Sequence, residues 1–178
     1  IDESGDVVAP GVTAYNGGVA ESVARDDMGR VIIGGRAMFS QIEFGIVNVP
    51  MGSAFVTFFA EDYTDPVNPI RFVRELDGLE RVEMARTADG TPDVLVAGSF
   101  DDELESDGET IDAVGGNDAF VARFSGVDGG VVWQESYGGL NDEDLLAIAV
   151  AGDRFAMTGS FSGEVELGPD TLVSKGGE

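Results

Sequence analysis

The chain has 178 residues and a mass of 18.6 kDa, with 34 Asp and Glu against 10 Lys and Arg, a formal net charge of −24 and a pI near 4.1. That charge repels a phosphate backbone or an anionic bilayer from almost any face, which excludes nucleic acid as a partner and argues against membrane insertion. The absence of Cys and His removes disulfide scaffolds, thiolate chemistry, the usual zinc ligand sets and every His-based triad.

Apolar residues at 43% and a mean hydropathy of +0.04 exclude simple disorder, and no apolar run approaches the ~18 residues of a membrane helix. The chain opens at Ile1 rather than Met, which reads as a processed protein or a fragment. High acidity with a single Lys suits a solvated, salt-tolerant surface, so an extracellular or cell-surface location is expected.

Taken from the N-terminus, Tyr15-Asn16-Gly17-Gly18 leads to Val23-Ala24-Arg25, a polar turn through Asp26-Asp27-Met28-Gly29-Arg30, then Val31-Ile32-Ile33-Gly34-Gly35 and Phe39. Short apolar runs around a polar turn predict a β-hairpin. Ile42-Glu43-Phe44-Gly45 adds a short alternating strand, and Ala54-Phe55-Val56 another after a Gly-rich link. Asp65-Pro66 and Asn68-Pro69 mark a loop. Residues 71–82 are rich in helix formers, and Phe72, Leu76 and Leu79 could share a helical face. Gly78 and the strands on both sides favour a strand pair with a turn at that glycine.

A second hairpin is predicted from Met84-Ala85-Arg86, a turn at Asp89-Gly90 and Val94 to Phe100, followed by a looser short strand at Leu104-Glu105 and by Ala119-Phe120-Val121. Tyr137-Gly138-Gly139 then precedes a third, made of Ile148-Ala149-Val150, Ala151-Gly152-Asp153 and Phe155 to Phe161, with Val165-Glu166-Leu167-Gly168 after it. Phe39, Phe100 and Phe161 stand at equal steps of 61 residues. The chain thus reads as one all-β domain, 1–178, of repeat units near 11–53, 54–118 and 119–178. A lone four-stranded unit cannot cover its own apolar faces, so units must stack, and radial stacking makes a β-propeller. A three-fold β-trefoil or β-prism is the rival. Closed propellers take ~4–8 blades, so a little under three units implies a partial propeller completed by copies of the chain, by a larger chain or by a donated strand.

The series Gly116-Asn117-Asp118-Ala119-Phe120-Val121-Ala122-Arg123-Phe124, Trp133, Tyr137-Gly138-Gly139, Asp142, Ile148-Ala149-Val150, Thr158-Gly159-Ser160-Phe161 and Ser174-Lys175-Gly176-Gly177 resembles the bacterial SBBP-type β-propeller repeat. The first unit is similar from Gly17-Gly18 to Phe39, and the second diverges more. The resemblance spans most of residues 12–178. It implies multi-bladed propellers of secreted and cell-surface proteins, and it brings no catalytic residues.

Two kinds of site suggest themselves. Asp101, Asp102 and Asp107 lie in one acidic run, Asp142 and Asp144 in another, and both could offer oxygen ligands to Ca²⁺. Neither run has the D-x-D-x-D-G loop, and Leu104 alternates like a core residue, so a solvated strand face is the preferred reading. Trp133 and Tyr137 could stack on a sugar, although packing between blades is the preferred reading for Trp133. Ser174-Lys175 has nothing beside it to make a dyad, and no nucleophile elbow or phosphate-binding Gly loop occurs. The function expected is a non-catalytic structural or interaction scaffold for protein or polysaccharide partners, without a cofactor. The alternatives are a Ca²⁺-assisted carbohydrate-binding module and, less favoured, a glycan-active enzyme using carboxylates from several blades.

Overall fold

The computed structural model describes residues 17–25, 30–44, 47–59, 70–79, 82–87, 92–106, 108–151 and 154–176. These contain strands and turns and no helix. β1 (Val19–Arg25) pairs antiparallel with β2 (Val31–Arg36), and a short hairpin of β3 (Ile42–Phe44) and β4 (Val47–Val49) follows. β5 (Ala54–Phe59) returns to the free side of β2, and β6 (Ile70–Leu79) pairs with β5. The same order then recurs. β7 (Glu83–Arg86) pairs with the first half of β8 (Val94–Ser106), and the second half of β8 forms a short hairpin with β9 (Glu109–Asp112). β10 (Asp118–Phe124) covers the other side of β8, and β11 (Val131–Tyr137) pairs with β10. Last come the pairs β12 (Glu143–Ala151) with β13 (Arg154–Phe161) and β14 (Glu164–Leu167) with β15 (Asp170–Val173).

Strand alternation sorts the side chains into three layers of core. Ala54, Val56 and Phe58 of β5 point one way, into the largest cluster, where they meet Val94 and Val96 of β8 and Phe120, Ala122 and Phe124 of β10. Phe55, between them, points the other way and packs with Ala37, Ile42, Val49 and Val73. Val121, flanked by Phe120 and Ala122, likewise turns away to join Ala97 and Leu145, with Trp133, Tyr137, Ile148 and Met157 packed against them. Within the largest cluster Phe100 and Phe120 meet edge to face at 6.5 Å between ring centres.

β6 also meets the second half of β8, with Leu76 opposite Ser106 and Leu79 opposite Phe100. Nine strands thereby join in one antiparallel sheet that curls into a half-barrel around the largest cluster. This corrects the expectation for residues 71–82. Gly78 does not reverse the chain; it sits inside β6 at φ +91°, where the register against β8 slips. Its missing side chain lets β6 lie against the Glu103 carbonyl, and across the slip Asp102 takes φ +61°. The helix formers are overridden because Leu76 and Leu79 are wholly buried only in the extended arrangement seen here.

Strands β1, β7 and β12 lie near one another without sharing a ladder with each other. Side chains do the joining instead. The Val82 N–H donates to Glu21 Oε2 at 2.9 Å, the Met84 N–H to Ser22 Oγ at 3.0 Å, and the Leu145 N–H to Ser99 Oγ at 2.8 Å. β1 and β12 each carry a bulge at matching places, between Ala20 and Ser22 and between Leu145 and Ala147. A bulge re-aims the extra side chain, and in β1 that residue is Glu21.

Candidate functional site

The opening residues of β1, β7 and β12 line a cleft of about 560 Å³. Its walls carry Glu21 from the β1 bulge, Glu83 from β7 and Asp144 from β12, with Arg36 from the end of β2 and Ser99 from the middle of β8. Arg36 Nε donates to Glu21 Oε1 at 2.7 Å, and the other Glu21 oxygen is occupied by the Val82 amide. The rest of the lining is Glu83, Asp144, the small apolar side chains of Val19 and Ala20, and one hydroxyl, Ser99, whose oxygen already accepts from Leu145. Such a cleft suits a group bearing amines or several hydroxyls and repels an anion.

A second polar feature lies where β12 starts. Asp118 and Glu143 are 1% and 3% exposed, which is rare for carboxylates. One oxygen of each is held: Asp118 Oδ2 by the Val114 N–H at 3.1 Å and Glu143 Oε2 by the Gly139 N–H at 2.7 Å. Asp118 Oδ1 and Glu143 Oε1 are buried with no hydrogen-bond partner. Burial pushes both carboxyls above their usual range, and the charges of Asp118 and Asp142 push Glu143 further the same way. Gly138 makes room for this corner, since a methyl group there would overlap the Asp118 carboxylate.

The residues singled out in the sequence are dispersed. Asp101 and Asp102 are exposed on β8, and the Asp102 carbonyl accepts from the Ala113 amide at 2.8 Å. Asp142 is exposed, and its Oδ1 accepts from the Asn117 amide at 3.2 Å. Asp144 lines the cleft; Asp107 lies outside the described residues. Among the described residues no three carboxylates converge on a point that could hold an ion. Trp133 stacks on Phe155 at 6.0 Å with 25° between the rings, and Trp133 and Tyr137 are both half-buried against the third cluster. Desolvation, with the nearby Glu135 charge, raises the Tyr137 hydroxyl above its usual range. Glu21, Glu83 and Arg36 escaped the sequence reading because only the approach of three strands distant in the chain makes them neighbours. The one local sign, a charged side chain inside an otherwise apolar strand start, is common on any solvated strand.

No family model, no curated protein and no solved structure matches the chain.

Proposed function

We propose that the chain is a partial β-propeller acting as an extracellular, non-catalytic interaction scaffold, with the cleft at the starts of β1, β7 and β12 as its contact point. The observation that carries the reading is the arrangement of those three strands. Each opens an antiparallel set; β1 is tied to the β7 segment, and β8 to β12, by side-chain-to-backbone hydrogen bonds without a ladder, while the first two sets also share the β6–β8 ladder. Apolar clusters lie between the first set and the second and between the second and β12, as in sheets stacked face to face. In that reading β1-β2-β5-β6 and β7-β8-β10-β11 are two blades and β12-β13 begins a third. The resemblance of the sequence to SBBP-type repeats supports it. The remaining blades come from a larger chain or from further copies.

The cleft chemistry narrows the partner to a protein or polysaccharide surface presenting amines and hydroxyls. Retention on an immobilised amine-bearing polysaccharide at about 0.15 M salt, where the Debye length is about 8 Å, tests this. Glu83→Gln with Asp144→Asn is expected to abolish retention, and Glu103→Gln with Glu105→Gln, on an exposed stretch of β8, to preserve it. Equal loss in both pairs would show only bulk charge at work, and the cleft would not be the contact point.

A further inference from the structure

Among the described residues β13 pairs with β12 alone, while the corresponding edges of β2 and β8 are each covered by a further strand. On β2 that strand is entered through Ser53-Ala54-Phe55-Val56, with Ala54 opposite Arg36, Phe55 opposite Gly35 and Val56 opposite Gly34. On β8 it is Asp118-Ala119-Phe120-Val121, with Ala119 opposite Ser99, Phe120 opposite Gly98 and Val121 opposite Ala97. A glycine therefore faces the aromatic residue in both. Gly159 holds that place in β13. It lies opposite Leu145, one step before the β12 bulge, as Gly35 lies opposite Ala20, one step before the β1 bulge.

The aromatic ring also has a fixed destination. Phe55 packs in the cluster that holds Ile42 and Val49, a cross-strand pair of the short hairpin β3–β4. Phe120 shares its cluster with Leu104 and Ile111, the cross-strand pair of β8–β9. The third short hairpin presents Val165 opposite Leu172, and there an apolar groove of about 230 Å³ runs between that pair and Tyr137, Leu145 and Met157. Leu172 is 43% exposed, whereas its counterpart Val49 is wholly buried beneath the ring of its own unit. The groove has the position and the apolar character that an aromatic side chain opposite Gly159 requires.

We infer that the β13 edge and this groove accept, from another polypeptide, an extended segment of the type Asp/Ser-Ala-Phe-Val, paired antiparallel with Ala opposite Ser160, the ring opposite Gly159 and Val opposite Thr158. An open strand edge supplies main-chain hydrogen bonds, and a pocket beside it selects the side chain, which is how strand addition achieves both affinity and choice. The inference rests on the blade reading above but not on the cleft, with which the groove shares only Asp144; neither Leu172 nor the peptide's Phe touches the cleft, so the polysaccharide test and the one below fail independently.

The probe is a fluorescent peptide copying residues 117–125, titrated into the full chain, with amide hydrogen exchange followed along β13. Saturable binding with new protection between Phe155 and Phe161 is expected, weakened at least tenfold when the peptide's Phe is replaced by Ala. Leu172→Asp in the chain, a change at an exposed side chain that leaves the strands paired by circular dichroism, is expected to weaken it equally. No binding, binding indifferent to both changes, or protection away from β13 would overturn the inference. So would a dimer of the unliganded chain whose β13 amides are already protected, because the edge would then belong to a second copy.

Discussion

Gly138 and Gly139 stand in the sequence only as a pair ahead of the third hairpin; their spatial role is to leave room for backbone and for a buried carboxylate. Asp118 and Glu143 are buried, each with one oxygen unpaired, so their charged forms bear the cost of leaving water. A carboxyl raised on folding binds more protons in the native than in the unfolded state between its two pKa values. Stability therefore falls as pH rises through that window, and the penalty is complete above the folded value. Asp118→Asn keeps an acceptor for the Val114 amide and removes the charge. Its urea midpoint at pH 7 is expected above wild type, with the two curves converging as pH drops into the carboxylate range. A midpoint below wild type at pH 7 would mean that the charge is held by something favourable. Arg123 and Asp93 are the opposite case. Arg123 Nε donates to Asp93 Oδ2 at 2.8 Å while Oδ1 takes the Gly126 amide at 3.1 Å, so the acid is fully used. Arg123→Leu strands a mostly buried carboxylate and should cost about 1–3 kcal/mol in urea unfolding.

Among the strands, β6 is the most instructive. Its sequence, with Arg, Glu and Leu at helical spacing and one interior glycine, speaks for a helix or a hairpin turn, and neither forms. Only the partner strand explains Gly78, because its φ of +91° and its closeness to the Glu103 carbonyl are set by where β8 lies. Gly78→Ala is expected to lose about 1–2 kcal/mol from the backbone conformation, and more from the overlap, in equilibrium unfolding. A neutral result would show that β6 can shift away from β8. The three long hairpins, by contrast, were legible because each encodes its own turn between two short apolar runs; at Ile42 and Val165 only the first strand was legible, and the partners β4 and β15 were not. The cleft was not, since Glu21, Glu83 and Asp144 become neighbours only through the packing of separate hairpins. Nor could spacing show that Trp133 lies over Phe155.

Taken entire, the molecule must hold together against a formal charge of −24. Nine Arg and one Lys leave most of that repulsion to the solvent to relieve. Raising ionic strength from about 0.01 M to 0.15 M shortens the Debye length from about 30 Å to about 8 Å, and the thermal midpoint should rise across that range. A flat response would mean that the acids are spread widely enough not to repel.

Phe39, Phe100 and Phe161 stand at equal steps in the chain, yet their exposures are 74%, 0% and 36%. The strands match Gly35 with Gly98, which puts the buried Ala37, and not Phe39, in the place of Phe100. An even beat in the letters is therefore not an even beat in space: the loop beyond β2 absorbs the difference, and the pairing of the strands never feels it.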